Sequence, residues 1–220
     1  AVSNILDSTK KIISETTFDL GESFTINIFQ MITTGSCVVL YDKQTKEMYV
    51  LSCSHVFPTE ALLKRNFNFI KNRFYVSNGL VDIVKRDSEK DLILLKTKAT
   101  YTDYFEGKVA SSIEKGDFIY GVGYAEGLNL FNGHIKETDR IFYGEREVAT
   151  IDSHIVAGES GGGIFVFDEG VPYLVGLAEY QYDPIRNFSG IVSLKSIKEF
   201  LRDTPLEDEY LGVKNGQEKK

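Results

Sequence analysis

Three short stretches of the chain carry residue types that suit nucleophilic catalysis. They are Gly158-Glu159-Ser160-Gly161-Gly162-Gly163, Leu51-Ser52-Cys53-Ser54-His55-Val56 and Asp91-Leu92-Ile93-Leu94-Leu95-Lys96. A hydroxyl nucleophile has to be displayed on a tight turn, with N–H groups converging on the point where negative charge develops. Glycines on both sides of Ser160 permit such a turn and the close approach of a substrate. Taken alone, the same run also suits a Gly-rich hairpin. A base belongs at the edge of an element, its ring turned toward the nucleophile and its other nitrogen held by a carboxylate. His55 ends an apolar run and begins a polar one; without partners it would read as an ordinary hydrogen-bonded histidine. The chain has 3 histidines in all. His134 sits in a polar Asn132-Gly133-His134 context and His154 just before the serine loop. Asp91 stands at the mouth of an apolar strand, where a partly buried carboxylate can orient one imidazole nitrogen; Asp87 is its neighbouring rival. Together the three signals outweigh their separate weights, in the order His, Asp, Ser.

These residues need a scaffold that brings distant loops together. Short runs rich in Val, Ile, Phe, Tyr and Thr recur along the chain, at Phe24–Thr33, Ser36–Asp42, Met48–Ser52, Phe74–Val76, Leu80–Lys85, Leu92–Thr97, Phe118–Val122, Asn129–Lys136, Glu147–Ile151, Gly163–Phe167, Pro172–Glu179 and Ser189–Val192. Turn residues separate them, and the pattern predicts an all-β barrel or sandwich. Helical spacing is confined to Ser3–Ser14, Thr59–Asn68 and Ser193–Arg202, the last with Leu194, Ile197, Phe200 and Leu201 on one face and Pro205 beyond its end. The tail from Leu206 is acidic and then Gly/Lys/Gln-rich, and is expected to be flexible.

Composition excludes several alternatives. The formal net charge of −7 disfavours nucleic acid as a general partner. No apolar run approaches the length of a membrane span. Two cysteines do not make a disulfide framework. The polar stretch Asp42–Glu47 reads as a hairpin turn, and a register centred near Thr45 would set Cys37 across from Cys53; two small buried thiols are the plainer alternative. No cofactor and no metal are expected, and the oligomeric state is not readable. The chain begins with Ala1, which fits a processed product, an excised domain or a trimmed chain.

The three motifs together resemble those of the chymotrypsin/trypsin-like serine proteases, and most closely the short HtrA-type bacterial and viral members. Gly35-Ser36-Cys37-Val38-Val39 is similar to the strand that precedes the histidine in HtrA-type enzymes. Lys115-Gly116-Asp117-Phe118 with Gly121-Val122-Gly123-Tyr124 resembles the opening of the second barrel, Leu174-Val175-Gly176-Leu177 the strand after the nucleophile, and Gly190-Ile191-Val192 the closing strand. The resemblance runs from about Phe24 to Arg202. It implies two packed six-stranded antiparallel β-barrels with a short C-terminal helix: residues 22–105 and 106–192 as barrels, 193–204 as helix, 1–21 as an N-terminal extension and 205–220 as a tail. It further implies a serine endopeptidase with His55, Asp91 and Ser160 as catalytic triad, and the N–H groups of Gly158 and Ser160 as oxyanion hole. The alternative is an inactive peptide-binding module on the same fold. Two departures stand out: no Ile-Val-Gly-Gly start occurs near the N-terminus, and Glu159 rather than Asp precedes the serine.

By the same resemblance a specificity pocket is lined by His154, Ile155, Ala157, Ala178, Gln181 and Gly190. No Asp lies at its base, so a preference for Lys or Arg is not expected. His154 suits hydrogen bonding to a Glu, Gln or Asp side chain; if it points away, the pocket is apolar. The expected partner is a protein or peptide substrate. A secreted or periplasmic bacterial enzyme and a protease released from a viral polyprotein both fit this reading.

Overall fold

A computed structural model describes residues 2–19, 28–57, 68–77, 79–142, 146–183, 185 and 188–212. The chain is mostly strand. Six strands form a closed antiparallel barrel: β1 (Thr9–Asp19), β2 (Ile28–Asp42), β3 (Glu47–Cys53), β4 (Asn68–Val76), β5 (Gly79–Asp87) and β6 (Leu92–Thr97), in the order β1-β2-β3-β6-β5-β4. After β7 (Lys108–Val109) come β8 (Phe118–Tyr124), β9 (Leu128–Phe142), β10 (Arg146–Ile151), β11 (Gly163–Asp168), β12 (Val171–Asp183) and β13 (Phe188–Val192). They run in the order β11-β8-β9-β10-β13-β12, and the pairing of β11 with β12 closes a second six-stranded barrel. Strand β7 is added to β12 in parallel. Closure leaves few exposed edges on either sheet.

Burial explains the near-continuous apolar runs. In β6, Leu92, Ile93, Leu94 and Leu95 are all buried, so both faces of this strand are covered. The same holds for Tyr49, Val50 and Leu51 in β3. These strands carry His55 and Asp91 at their ends, so both residues hang from fully buried strands of the first barrel.

Several sequence expectations are corrected. Ser3–Ser14 is not one helix: α1 covers Val2–Asp7, and β1 then pairs with both β2 and β4. The apolar residues there serve both elements, with Ile5 buried on α1 and Ile12 buried on β1. The turn or two of helix expected over Thr59–Asn68 lies outside the described residues, save Asn68, which opens β4. The β2–β3 hairpin pairs Val38 with Leu51 and Val39 with Val50, one residue away from a register that would oppose Cys37 and Cys53. A slip of one residue turns a side chain to the other face. Neither thiol is in a disulfide; Cys37 points to the Lys10 carbonyl at 3.5 Å and Cys53 to the Ala178 carbonyl at 3.3 Å.

Helix α2 (Leu194–Leu201) follows the predicted pattern, with Leu194, Ile197, Phe200 and Leu201 buried and the Ser193 hydroxyl accepting from the Ser196 N–H at 3.1 Å. Lys85 of β5 caps the other end, donating to the Phe200 and Arg202 carbonyls at 2.7 and 2.9 Å. The first part of the expected flexible tail is ordered. Helix α3 (Glu207–Leu211) buries Tyr210 against the first barrel, where its hydroxyl accepts from the Tyr41 N–H at 2.9 Å and donates to the Phe105 carbonyl at 3.1 Å. Residues 213–220 lie outside the described residues. No helix is long and apolar enough to cross a membrane among the described residues.

Candidate active site

His55 sits in a single 3-10 turn, Ser54–Val56, directly after β3. Its position is set by one carboxylate at two points. Asp91 Oδ1 accepts the His55 backbone N–H at 2.8 Å, and Asp91 Oδ2 lies 2.6 Å from His55 Nδ1. The Asp91 side chain is 4% exposed and the His55 side chain 45%, so the carboxylate is shielded while the far edge of the ring faces outward. Asp91 has φ of 56°, a left-handed conformation that Asp and Asn tolerate better than most residues. The Ser54 N–H donates to the Asp91 carbonyl at 3.0 Å, so backbone and side chain of Asp91 both serve the histidine turn. Asp87, the rival in sequence, is occupied elsewhere: its carboxylate accepts from the N–H groups of Glu89 and Lys90 at 3.0 and 2.9 Å and closes the turn before β6.

A residue that sequence reasoning missed holds this turn from the other side. Arg86 Nε donates to Ser54 Oγ at 2.8 Å, and its terminal nitrogen to the carbonyls of Ser54, at 2.9 Å, and Phe57. Burial lowers the guanidinium's affinity for its proton, and the nearby Asp91 opposes that shift. Nothing in the local sequence marks Arg86, because its fork matches carbonyls about thirty residues away.

Ser160 lies on the turn between β10 and β11. Gly158 and Gly161 flank it with φ of 95° and 85°. A Cβ on Gly158 would lie 2.5 Å from the Tyr124 carbonyl oxygen, and one on Gly161 2.2 Å from the Ser36 carbonyl oxygen. Both glycines are therefore required by conformation and by space. The turn's amides are unevenly used. Glu159 N–H donates to Val156, Gly161 N–H to Ala178 and Gly162 N–H to Glu159. The N–H groups of Gly158 and Ser160 have no acceptor among the described residues. Partly buried amides of this kind are rarely left unpaired without a reason. The Ser160 hydroxyl is 3.5 Å from the Glu179 carbonyl, at the long limit of a hydrogen bond.

Glu159, the departure from the family pattern, is fully buried. Its carboxylate accepts from Asn129 Nδ2 at 2.5 Å and from the Val156 N–H at 2.8 Å. Gly123 makes room for it: a Cβ there would lie 2.9 Å from Glu159 Cα. The residue before the serine thus anchors the loop 156–159 to β9 without a charged partner in these two contacts.

The residues expected around a specificity pocket fall on three adjoining stretches. Ile155 is buried, and its N–H donates to Ser189 Oγ at 3.0 Å, while that hydroxyl donates to the Ser153 carbonyl at 2.6 Å. Ala178 is buried; its N–H donates to the Gly162 carbonyl at 2.8 Å. Gly190 is paired with both Thr150 and Tyr180. His154 and Ala157 are exposed on the loop. Gln181 lies in β12, and its side chain is outside the described residues. One group of possible metal ligands occurs among the described residues, Cys53, His55 and Asp91, with donor atoms within 4.8 Å of one another. The 2.6 Å between His55 and Asp91 is a hydrogen bond. It is shorter than the edge of about 3.3 Å between two ligands around a tetrahedral zinc.

Comparison with known proteins agrees with this architecture. The family model described as "Trypsin-like peptidase domain" matches residues 35–177. Among solved structures, the Rv3671c protease from M. tuberculosis in its active form superposes with a TM-score of 0.64 at 16% identity, covering 91% of this chain and 82% of that one. Its inactive form gives 0.60, also at 16% identity, with 91% and 90% covered. An HtrA-type protease, an AlgW variant with a bound decapeptide, gives 0.68 at 16% identity, with 90% of this chain and 63% of that chain covered. None of the curated proteins matches the sequence. With two closed antiparallel barrels and a match that spans more than half of its length, the chain belongs to the trypsin-like peptidase domain family.

Proposed function

We propose that the protein is a serine endopeptidase that cleaves peptide bonds through an acyl-enzyme. The observation that carries this reading is the pair of unused N–H groups at Gly158 and Ser160, on the turn that displays the hydroxyl. Such donors stabilise an oxyanion that forms beside them. In the proposed cycle Ser160 Oγ attacks the scissile carbonyl carbon and His55 Nε2 takes its proton. The His55 Nδ1–H donates to Asp91 Oδ2, which fixes the tautomer and stabilises the imidazolium. His55 then protonates the leaving amine. Water repeats the sequence on the ester and releases Ser160. In this structure the hydroxyl points its proton at the Glu179 carbonyl at 3.5 Å, and in the proposed cycle that proton turns to His55 Nε2. Catalytic hydrogen bonds of free enzymes commonly tighten only once substrate is bound.

That same contact favours a second reading, an inactive member that binds peptides without cutting them. AlgW is a protease whose variant holds peptides, and a cleft of this kind serves either role. The two readings separate on one experiment. Intact mass after treatment with a fluorophosphonate is expected to show a single adduct on the wild type and none on Ser160→Ala or His55→Ala. A folded wild type that takes no adduct would leave the binding module as the better reading. For specificity, we propose a pocket formed by Ile155, Ala178 and Gly190 with His154 and Ala157 at its rim, and with Gln181 on the adjoining strand β12. It lacks the aspartate that would favour Lys or Arg.

A further inference from the structure

Strand β2 of the first barrel passes directly against the nucleophile turn. The Ser36 N–H donates to the Ser160 carbonyl at 2.7 Å, and a Cβ on Gly35 would come within 3.1 Å of that same oxygen. Ser36 is fully buried, so its hydroxyl has no solvent to satisfy it. It makes one bond as acceptor and one as donor. Ser36 Oγ accepts from the Tyr124 N–H at 2.7 Å and donates to the Gly158 carbonyl at 2.8 Å. A hydroxyl has one proton. The Tyr124 amide occupies a lone pair, so the rotor is fixed and the proton is aimed at Gly158. The Ser36 carbonyl in turn accepts from Ser52 Oγ at 2.7 Å, three residues before His55.

From this we infer that Ser36 is a positioning residue for the oxyanion donors: its bond holds the Gly158–Glu159 peptide, which lies between the two candidate donors, so that the turn carrying the Gly158 and Ser160 N–H groups keeps its place. Gly158 at φ of 95° has no side chain to restrict it, and its own N–H is unbonded. Its carbonyl is the atom by which the residue can be held. The hydroxyl also joins three elements at one point: β2, the end of β8 at Tyr124, and the turn.

The inference rests on the endopeptidase reading for its activity arm and not for its structural arm. Ser36→Ala removes the bond, and Ser36→Thr retains a hydroxyl. The kinetic arm uses a peptide substrate identified with the wild type. Ser36→Ala is expected to lower kcat about 10- to 100-fold, less than the ~10²–10³ for removing an oxyanion donor outright, with KM within twofold. Affinity for a peptide aldehyde, which forms an oxyanion on Ser160, should fall by the same factor, while the matching peptide alcohol binds as before. Ser36→Thr should recover most of the loss. The structural arm follows the Gly158 amide by ¹⁵N–¹H correlation spectra. Its resonance should move and broaden in Ser36→Ala and stay near the wild-type position in Ser36→Thr. If an active wild type gives a Ser36→Ala variant with unchanged kcat, or one whose loss lies wholly in KM, the inference is wrong. If the wild type is inactive yet the Gly158 amide responds, the positioning stands and the endopeptidase reading falls. An amide that does not respond overturns the positioning whatever the activity.

Discussion

Replacing Asp91 with Asn tests the triad with the least structural damage. The side chain keeps its shape, and Asn tolerates the left-handed backbone that Asp91 adopts at φ of 56°. What changes is the donor pattern. The backbone N–H of His55 is a fixed donor and requires an oxygen opposite it, now Asp91 Oδ1 at 2.8 Å. The Asn oxygen therefore stays there, and the amide NH₂ faces His55 Nδ1, where Oδ2 now lies at 2.6 Å. A donor can meet Nδ1 only if the ring proton moves to Nε2. In that tautomer Nε2 cannot accept the serine proton. The expected loss in kcat is about 10⁴-fold, the size typical of this change in a Ser-His-Asp triad. At 1.36 kcal/mol per factor of ten, that is about 5 kcal/mol of barrier. KM should change little, since Asp91 does not reach the cleft, and the thermal midpoint should stay within a few degrees. The assay is steady-state hydrolysis of a peptide substrate beside a thermal melt. A loss below tenfold in a protein that melts like the wild type would refute the two-point argument.

Two further outcomes follow from packing and burial. Gly161→Ala places a Cβ 2.2 Å from both the Ser36 carbonyl oxygen and Ser52 Oγ, at a φ of 85° that disfavours any side chain. Strain and overpacking together are expected to cost roughly 3–5 kcal/mol, read by urea denaturation, and a cost under about 1 kcal/mol would mean that the backbones are not in contact. The thiols should be silent in the native protein. Burial pushes the Cys37 thiol up to about 12, so at pH 9 about one molecule in a thousand carries the thiolate, and Cys53 is equally buried. Ellman's reagent should find no thiol before unfolding and two after it, with no change in melting on adding dithiothreitol. A native disulfide would instead give none after unfolding.

How much of this was legible in the sequence depends on the range of each interaction. His55, Asp91 and Ser160 stand out as candidates because each lies in a short motif whose neighbours set its backbone, and the structure brings His55 and Asp91 into contact. Helix α2 was readable for the same reason: its four buried residues, its Ser193 cap and Pro205 are all local. Strand β1 was not, because Ile5, Leu6, Ile12 and Ile13 fit a helical spacing as well as they fit two elements. Only pairing with β2 and β4 decides between them. The cysteines show how sharp this limit is. A turn centred near Thr45 differs from the observed register by one residue, and one residue is enough to send Cys37 and Cys53 to opposite faces.

The supports of the site lie beyond that range in a systematic way. Ser36 reaches Gly158 across 122 positions, Arg86 reaches Ser54 across 32, and Asn129 reaches Glu159 across 30. Arg86 and Asn129 are common polar residues with no motif of their own, and the stretch around Ser36 marks a strand without saying what its hydroxyl touches; each bond ends on the backbone or a side chain of the candidate catalytic loops. A triad held only by its own motifs would sit on loops free to sample many geometries, whereas a misplacement of 1 Å in such a site costs about 10² in rate. The long-range bonds remove that freedom. The variants that separate catalysis from folding most cleanly should therefore be sought among residues such as Ser36, whose hydroxyl touches the Ser160 turn without being part of it.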